Sequence, residues 1–482
     1  MAAKDLKDAG EVAHIADIVY HGDKLTLPEG MEIPDAITLL KDRQDFLETD
    51  VAMSETFNVF PWDGAYALDK VLTKKFGWAA ATATPGFFGP RPPQLVSIDI
   101  AYGQKSEVPW GSFSIPKAKG LLATAAAWSG NRVAFQLNAK VKRKDEATIR
   151  AIFAEVREFL KENSIYRGKA IKLRFCDDAG NDLDMPEPKF LETGKLRPEH
   201  LIYSADVQNS IETNLFTPIS RVRDCIDNDL SVKRGVLLGG PYGTGKTLAA
   251  TVASTLAVEA GVTYIYVPRA DELAKAIEFA KQYQSPACVV FCEDIDRVMD
   301  GERDVEMDDI LNIIDGIDTK NSNIITVLTT NAMRSINPAM LRPGRLDAVI
   351  EVTPPDAEAV QRLLRLYGGS NVAVDADLSA VGSELAGCIP AVIAEVVKRA
   401  KLSQVRLNAP GERVKLLSSD ALLDAAKTMR AQVKLLEETS APKDPAITVD
   451  STLAVVMERA VAPLMDRISD LEKDISHVKD RI

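Results

Sequence analysis

The chain has 482 residues, of which 46% are hydrophobic and 27% charged, a composition typical of a soluble globular protein that is too long for a single core. The formal net charge of -12 argues against an extensive nucleic-acid interface, because such an interface normally needs a basic face. No apolar run approaches the roughly 20 residues that span a bilayer, and the first residues lack the apolar stretch of a secretory signal. We therefore expect a cytoplasmic protein without a membrane segment, located in the host cytoplasm if a virus encodes it.

The five cysteines are scattered and odd in number, which indicates reduced thiols and not a disulfide framework. Cys288 and Cys292 lie four residues apart in an apolar run, where we expect them to pack in the core and not to bind a metal. The four histidines form no cluster with the spacing of metal ligands.

Residues 1–204 are predicted to form a separate α+β domain that binds a substrate or partner, because all the tryptophans fall in the first third of the chain. Within it, residues 147–162 have the period of a helix, and residues 170–175 read as a strand. The basic cluster at 140–144 is interpreted as a solvated turn, with a phosphate contact as the alternative.

From 205 to 353 strands and helices alternate, which predicts a parallel sheet with helices on both faces. Residues 354–438 read as helical, and the stretch before residue 446 as a linker.

A glycine-rich loop follows the short apolar strand predicted at 236–238, and a helix is predicted directly after it. Glycines let the backbone curl so that its N–H groups point at phosphate oxygens, and the helix directs its positive end toward them. The lysine is expected to contact the β and γ phosphates, and the last threonine to bind magnesium. The eight residues that fit G-x-x-x-x-G-K-[ST] are Gly240, Pro241, Tyr242, Gly243, Thr244, Gly245, Lys246 and Thr247.

Polar residues follow the next two buried strands. The apolar run 287–292 ends in Glu293 and Asp294, and the strand predicted at 324–329 is followed by Thr330 and Asn331. Carboxylates at the carboxyl end of a buried strand beside a phosphate loop are suited to handling magnesium and the attacking water. We expect Asn331 to reach the γ-phosphate side and to orient that water.

Two arginines, Arg342 and Arg345, follow a short helical segment. Arginine suits a finger that reaches a neighbouring subunit's nucleotide, because its charge is permanent and its planar fork matches phosphate. Surface salt bridges are the alternative for two isolated arginines.

These motifs, their order and the run NPAMLRPGRLD at 337–347 resemble the AAA family proper over roughly residues 205–435. The resemblance implies a P-loop AAA core with a helical lid, magnesium-dependent hydrolysis of ATP, and a homo-oligomeric ring, usually of six subunits. It further implies a role for several matching positions: Lys246 and Thr247 in nucleotide and Mg²⁺ binding, Asn331 as the first sensor, Arg342 and Arg345 as fingers, Asp315-Gly316 in signalling between subunits, and Gly387 with Pro390-Ala391 in the lid.

Two departures from the family pattern modify this expectation. The family usually ends the acidic strand in Asp-Glu, so that here Glu293 would hold magnesium through water and Asp294 would polarise the nucleophile. Since Asp is one methylene shorter than Glu, we predict slow hydrolysis. The second departure is the missing aromatic–apolar–glycine pore loop, which argues against threading of a polypeptide. Both features are similar to the branch that contains the mitochondrial translocase of the Rieske iron–sulfur protein, which carries a membrane anchor and in which rings of seven occur.

Residues 446–482 are predicted to form a helical tail with a coiled-coil seam, since apolar residues alternate at spacings of three and four. An amphipathic helix docked on its own domain is the alternative. The seam consists of Val461, Leu464, Ile468, Leu471, Ile475, Val478 and Ile482.

Three functions remain for such a ring. We favour a motor that remodels or translocates protein substrates bound through the N-terminal domain. Action on nucleic acid or DNA-bound complexes is the second, against which the negative charge and the absence of a recognisable helix-turn-helix argue. A nucleotide-gated oligomeric scaffold with slow turnover is the third, and the short carboxylate of Asp294 supports it.

Overall fold

The computed structural model describes residues 19–21, 24–27, 30–77, 81–84, 89–130, 132–177, 179–295, 322–333 and 346–440. Several predicted features lie outside these residues: Arg342, Arg345, Asp315-Gly316 and the tail 446–482.

In the described residues, the N-terminal unit combines antiparallel strands with three α-helices. Its elements are β1 (Val19–His21), β2 (Lys24–Thr26), α1 (Ile33–Leu47), β3 (Asp50–Phe57), α2 (Pro61–Phe76), β4 (Gln94–Ala101), β5 (Gln104–Trp110), β6 (Ser112–Phe113), β7 (Gly120–Ser129), β8 (Arg132–Lys142) and α3 (Glu146–Glu162). Strands β3, β8, β7 and β6 form one antiparallel sheet in that order, while β1–β2 and β4–β5 form two-stranded pairs. Helix α3 confirms the helix predicted at 147–162, and α2 and α3 pack against the four-stranded sheet.

The second unit alternates strands and helices, as predicted. Its elements are β9 (Ala170–Cys176), β10 (Asp182–Phe190), α4 (Ala205–Ile211), α5 (Thr217–Ser220), α6 (Val222–Asp227), β11 (Arg234–Gly239), α7 (Lys246–Glu259), β12 (Thr263–Val267), α8 (Leu273–Ala280), β13 (Cys288–Cys292), β14 (Ile324–Thr330) and β15 (Ala348–Glu351). The seven strands form one sheet in the order β10-β9-β12-β13-β14-β11-β15, with only β10 antiparallel to its neighbour.

The boundary predicted at residue 204 does not coincide with the edge of this sheet. Strands β9 and β10, which precede residue 204, belong to the sheet because β9 pairs in parallel with β12, with Tyr264 opposite Ala170 and Ile265 opposite Ile171. Apolar Ile171 and Leu173 are fully buried in this position. The sheet therefore begins at Ala170, directly after the N-terminal unit.

Alternate residues of the parallel strands face two different layers, as the period of a strand requires. Leu237, Ile265 and Val290 belong to a core that is continuous with the interior of the N-terminal unit. On the opposite face, Val236 and Val289 pack in a core with helices α4 to α7. Helix α8 lies on this face of the sheet, since it contacts β12 and β13, and it also contacts β8 of the N-terminal unit.

A buried polar junction joins the two units beside this shared core. The Tyr283 hydroxyl accepts a hydrogen bond from the Phe60 N–H at 2.8 Å and donates one to Asp63 Oδ2 at 3.2 Å. The neighbouring Gln282 Nε2 donates to the Val133 carbonyl oxygen at 2.8 Å. Since both residues follow α8, this helix connects the sheet to the N-terminal unit.

Asp63 is fully buried at this junction. Burial raises the pKa of its carboxyl from the ordinary 3.8 to about 6, because a charged group is disfavoured away from water. Hydrogen bonds donated by the Ser164 hydroxyl, the Ile165 N–H and Tyr283 oppose this rise.

Residues 357–440 form a separate helical layer, which confirms the all-helical prediction for this segment. It consists of α9 (Ala357–Gly368), α10 (Ser379–Leu385), α11 (Pro390–Leu407) and α12 (Ser419–Ser440), which share their own core. Asp356 caps α9 by accepting the Ala359 N–H at 2.8 Å, and Pro390 occupies the first turn of α11. Among the helices in the described ranges, none is long and apolar enough to cross a membrane.

We expect the stability of the protein to depend on pH through Asp63. The folded state holds the Asp63 proton more tightly than the unfolded state, so the contribution of Asp63 is most favourable at low pH and declines as pH rises from about 4 through about 6. A pKa rise from 3.8 to about 6 corresponds to about 3 kcal/mol, of which about half develops between pH 5 and pH 7.5. Urea unfolding of wild type and Asp63→Asn at these two pH values should show the wild type losing stability relative to the variant. Asp42→Asn, at an exposed position of α1, is the control; parallel pH dependence of wild type and Asp63→Asn would contradict the assignment.

Candidate active site

The phosphate loop leaves the carboxyl end of β11 and runs into the first turn of α7. Gly245, with φ +100°, precedes the helix, and Lys246 is its first residue. Gly240 has φ +147°, and a Cβ atom there would lie 2.3 Å from the Val352 carbonyl oxygen, so only glycine fits. The loop and the helix start therefore form the anion-binding arrangement predicted from the sequence.

Lys246 is held inside the loop and is almost fully buried. Its ammonium group donates to the carbonyl oxygens of Gly240 at 2.7 Å and Pro241 at 2.8 Å. It also donates to Asn331 Oδ1 at 2.8 Å. The lysine is thus positioned beside the loop backbone and the side chain that follows β14.

Glu293 follows β13 and faces the first turn of α7. Its Oε1 accepts a hydrogen bond from the Thr247 hydroxyl, and its Oε2 accepts one from the Tyr266 hydroxyl at 2.9 Å. A hydroxyl and a carboxylate in contact are hard oxygen ligands of the kind that magnesium prefers. The residues present therefore fit a magnesium ion held by Thr247 and Glu293, directly or through water.

Asp294 takes the left-handed backbone conformation, with φ +46°. Its N–H donates to the Thr329 hydroxyl at 3.0 Å, and its Oδ1 accepts from Asn331 Nδ2 at 2.9 Å. Asp and Asn are enriched among the few residues other than glycine that adopt this conformation. A continuous hydrogen-bonded chain thus runs from Lys246 through Asn331 to Asp294.

The helical layer contacts the phosphate loop directly through Ile389 and indirectly through Tyr203. Ile389, just before α11, lies against Gly243, where an added Cβ would be 3.2 Å from Ile389 Cδ1. The Tyr203 hydroxyl donates to the Gly245 carbonyl oxygen at 2.8 Å, and Arg362 of α9 donates to the Tyr203 carbonyl oxygen. Tyr203 therefore connects the helical layer to the loop.

The sequence-predicted residues Lys246, Thr247, Glu293, Asp294 and Asn331 meet at one edge of the sheet. Sequence reasoning did not identify Tyr203 or Tyr266 as parts of the site. Tyr203 stands at the predicted domain boundary, and Tyr266 lies in a strand whose apolar pattern gave no reason to single out its hydroxyl.

Cys288 and Cys292 pack in the sheet, as expected. Both are buried, and burial raises the pKa of each thiol, that of Cys292 to about 12. Across the described ranges, no group of three or more His, Cys, Asp or Glu side chains is arranged to hold a metal ion.

Comparison with known proteins matches residues 236–354 to the family described as ATPase family associated with various cellular activities (AAA). This range begins in β11 and ends just after β15, and it contains the phosphate loop, Glu293, Asp294 and Asn331.

Several curated relatives are similar over a somewhat longer segment. The ATP-dependent zinc metalloprotease FtsH of Corynebacterium glutamicum is 32% identical over 214 residues, which are 40% of this chain and 24% of that protein. The protein of the same name from Mycobacterium tuberculosis is 32% identical over 197 residues, 37% of this chain and 25% of the relative. That of Caldicellulosiruptor bescii is 32% identical over 204 residues, 38% of this chain and 32% of the relative. The chain thus spans about a quarter to a third of the length of these relatives.

We expect Tyr203→Phe to weaken binding of a non-hydrolysable ATP analogue, because the Gly245 carbonyl oxygen loses its hydroxyl partner. One neutral hydrogen bond corresponds to a loss of affinity of about twofold to tenfold. Titration of a fluorescent ATP analogue measures this change. Tyr102→Phe, in the turn between β4 and β5, removes an exposed hydroxyl and serves as the control; equal affinities of wild type and Tyr203→Phe would show that this contact does not shape the loop.

Proposed function

The chain contains an ATPase domain of the AAA family, and from this premise we propose that the protein is an ATP-hydrolysing ring motor that remodels or translocates protein substrates. The observation that carries the proposal is the hydrogen-bonded group at one sheet edge, in which Lys246, Asn331 and Asp294 are joined and Thr247 meets Glu293. Members of this family use ATP with Mg²⁺, and both fit the residues present.

In the proposed reaction a water molecule attacks the γ phosphorus and the bond to the β–γ bridging oxygen breaks. Lys246 contacts the β and γ phosphates, and the loop N–H groups bind their oxygens. Asp294 orients the water and takes its proton, while Asn331 holds the Asp294 carboxylate. Thr247 and Glu293 would hold the magnesium ion, which would neutralise negative charge on the phosphates.

Asp294→Asn should bind ATP with near wild-type affinity and hydrolyse it at least about a hundredfold more slowly, because the general base is lost. The variant keeps the local structure, since Asn tolerates a φ of +46° and its side-chain oxygen still accepts from Asn331. Phosphate release and binding of a fluorescent ATP analogue measure the two properties. Hydrolysis at the wild-type rate would remove Asp294 from the mechanism.

The same variant tests the biological role. Asp294→Asn loaded with ATP and Mg²⁺ should retain substrate proteins from source-cell lysate, while Lys246→Ala, which loses the phosphate contact, should not. A specific protein retained only by the first variant supports remodelling, and DNA-dependent recovery supports action on nucleic acid. Self-association alone, together with very slow turnover by the wild type, supports the nucleotide-gated scaffold that the short Asp294 carboxylate suggests.

Nucleic acid is the less favoured partner. Lys142 of the basic cluster at 140–144 is paired with Asp50 at 2.8 Å, and Lys144 with Glu48. These pairs offset the positive charge that a phosphate backbone would need. We therefore propose that the partner is a protein substrate bound by the N-terminal unit. We propose further that the protein acts in the cytoplasm, away from membranes.

AAA proteins generally form oligomeric rings, and we propose a homo-oligomeric ring of six subunits, or seven as in the Rieske-translocase branch. In this ring Arg342 and Arg345 serve as arginine fingers for the neighbouring subunit's ATP.

We propose that the seam of residues 461–482 pairs as a coiled coil and reinforces assembly of the ring. Removing residues 446–482 should therefore lower the oligomer mass measured by light scattering.

The fingers predict complementation between two inactive variants. Asp294→Asn keeps its fingers, and Arg342→Ala keeps its hydrolytic residues, so a mixed ring contains restored sites. With random mixing in equal amounts, roughly a quarter of the subunit interfaces should regain activity, because each interface takes its site and its finger from two different subunits. Phosphate release before and after mixing measures the gain. A mixture no more active than its components would exclude a trans-acting role for Arg342.

A further inference from the structure

Both oxygens of the Glu293 carboxylate have a hydroxyl partner from the protein. Thr247, on the phosphate-loop side, donates to Oε1, and Tyr266, on β12, donates to Oε2 at 2.9 Å. A carboxylate held at both oxygens cannot rotate about its terminal bond without breaking a hydrogen bond. The two hydroxyls therefore define the direction in which Glu293 presents its lone pairs.

The sheet fixes the position of the Tyr266 hydroxyl. In the parallel register Tyr266 stands opposite Phe291 of β13 and Lys172 of β9. Its ring stacks on Phe291 with centroids 5.6 Å apart and an interplanar angle of 23°, and the Lys172 ammonium lies 5.7 Å from its centroid on the other side. Neighbours on both adjacent strands thus hold the ring, so its hydroxyl is a rigid donor.

We propose that Tyr266 is a positioning residue that orients the Glu293 carboxylate toward the magnesium ion and so sets the affinity of the site for divalent metal. This inference rests on the proposed magnesium-dependent ATPase function. Partners that orient a metal-ligating group from outside the ligand set typically change metal affinity by about tenfold to a hundredfold when they are removed. Tyr266 acts on the metal site through its hydrogen bond to Glu293.

The chain provides a matched control two residues away. Tyr264 lies on the same face of the same strand and is buried, but its hydroxyl donates to the Ala250 carbonyl oxygen of α7 at 2.9 Å. Tyr264→Phe and Tyr266→Phe remove the same atom from equivalent positions of one strand. Only the second removes a partner of Glu293.

The test is the metal dependence of two signals in the full-length protein. Phosphate release is titrated with Mg²⁺ at fixed ATP, and binding of Mn²⁺ to the ADP-loaded protein is followed by electron paramagnetic resonance. We expect Tyr266→Phe to raise the half-saturating metal concentration about tenfold or more in both assays. Binding of ATP in the presence of a chelator, and the rate at saturating Mg²⁺, should change much less. Tyr264→Phe should leave the metal dependence at its wild-type value.

The outcomes separate the inference from the proposed function. Unchanged metal dependence in Tyr266→Phe, with a wild type that binds nucleotide and metal, overturns the role of Tyr266 alone. An equal shift in both variants also overturns it, since the cause would be a general disturbance of β12. A wild type that neither binds Mn²⁺ with ADP nor hydrolyses ATP overturns the proposed function together with this inference.

Discussion

The order and register of the parallel strands determine where the chemistry of this chain lies. β11 stands between β14 and β15, and its last residue, Gly239, is level with Thr330. Cys292 at the end of β13 is level with Leu328, so Asp294, two residues on, comes beside the end of β14. The loops after three strands therefore leave the sheet at one edge, as doubly wound folds require of their ligand sites. The hydrogen-bonded chain from Lys246 to Asp294 is a consequence of this register.

The shared core gives the N-terminal unit a closer relation to the ATPase sheet than a tethered receptor would have. Val290 of β13 packs in the same core as Phe57 and Phe135 of the N-terminal unit. The strand that precedes Glu293 and Asp294 is thus connected to the N-terminal layer through α8, which contacts both β13 and β8, with the Tyr283 junction just after this helix. A contiguous packed route of this kind can transmit a change at the nucleotide to a bound partner, provided that the layer has two arrangements.

Local patterns in the sequence were sufficient to predict most helices and strands, but not which strands pair with each other. The phosphate loop, α7, β13 and β14 were predicted because glycine spacing, helical period and short apolar runs are local signals. The family match confirms the ATPase core that these signals indicated. The pairing of β9 with β12 was not predicted, because it joins segments about ninety residues apart in sequence and depends on which sheet edge is open.

The role proposed for Tyr266 could not be predicted from the sequence either. Tyr264 and Tyr266 look alike in the sequence, and only the packed sheet directs one hydroxyl to α7 and the other to Glu293.

Residue 294 is Asp, where the AAA pattern that this chain resembles usually has Glu, and the backbone conformation there is consistent with Asp. A left-handed conformation costs most L-residues about 1–2 kcal/mol, and Asp and Asn are among the residues that tolerate it. With φ at +46°, the Asp294 side chain, which is one methylene shorter than Glu, still reaches Asn331 at 2.9 Å. The left-handed backbone therefore occurs together with the shorter side chain. A Glu at this position would place a longer side chain on a backbone from which Asp already reaches Asn331. Because Asn331 is also bonded to Lys246, a shift of the lysine from the loop carbonyls toward a bound phosphate would alter the hold on Asp294. The Asn331 amide therefore links the Asp294 carboxylate to the lysine of the phosphate loop.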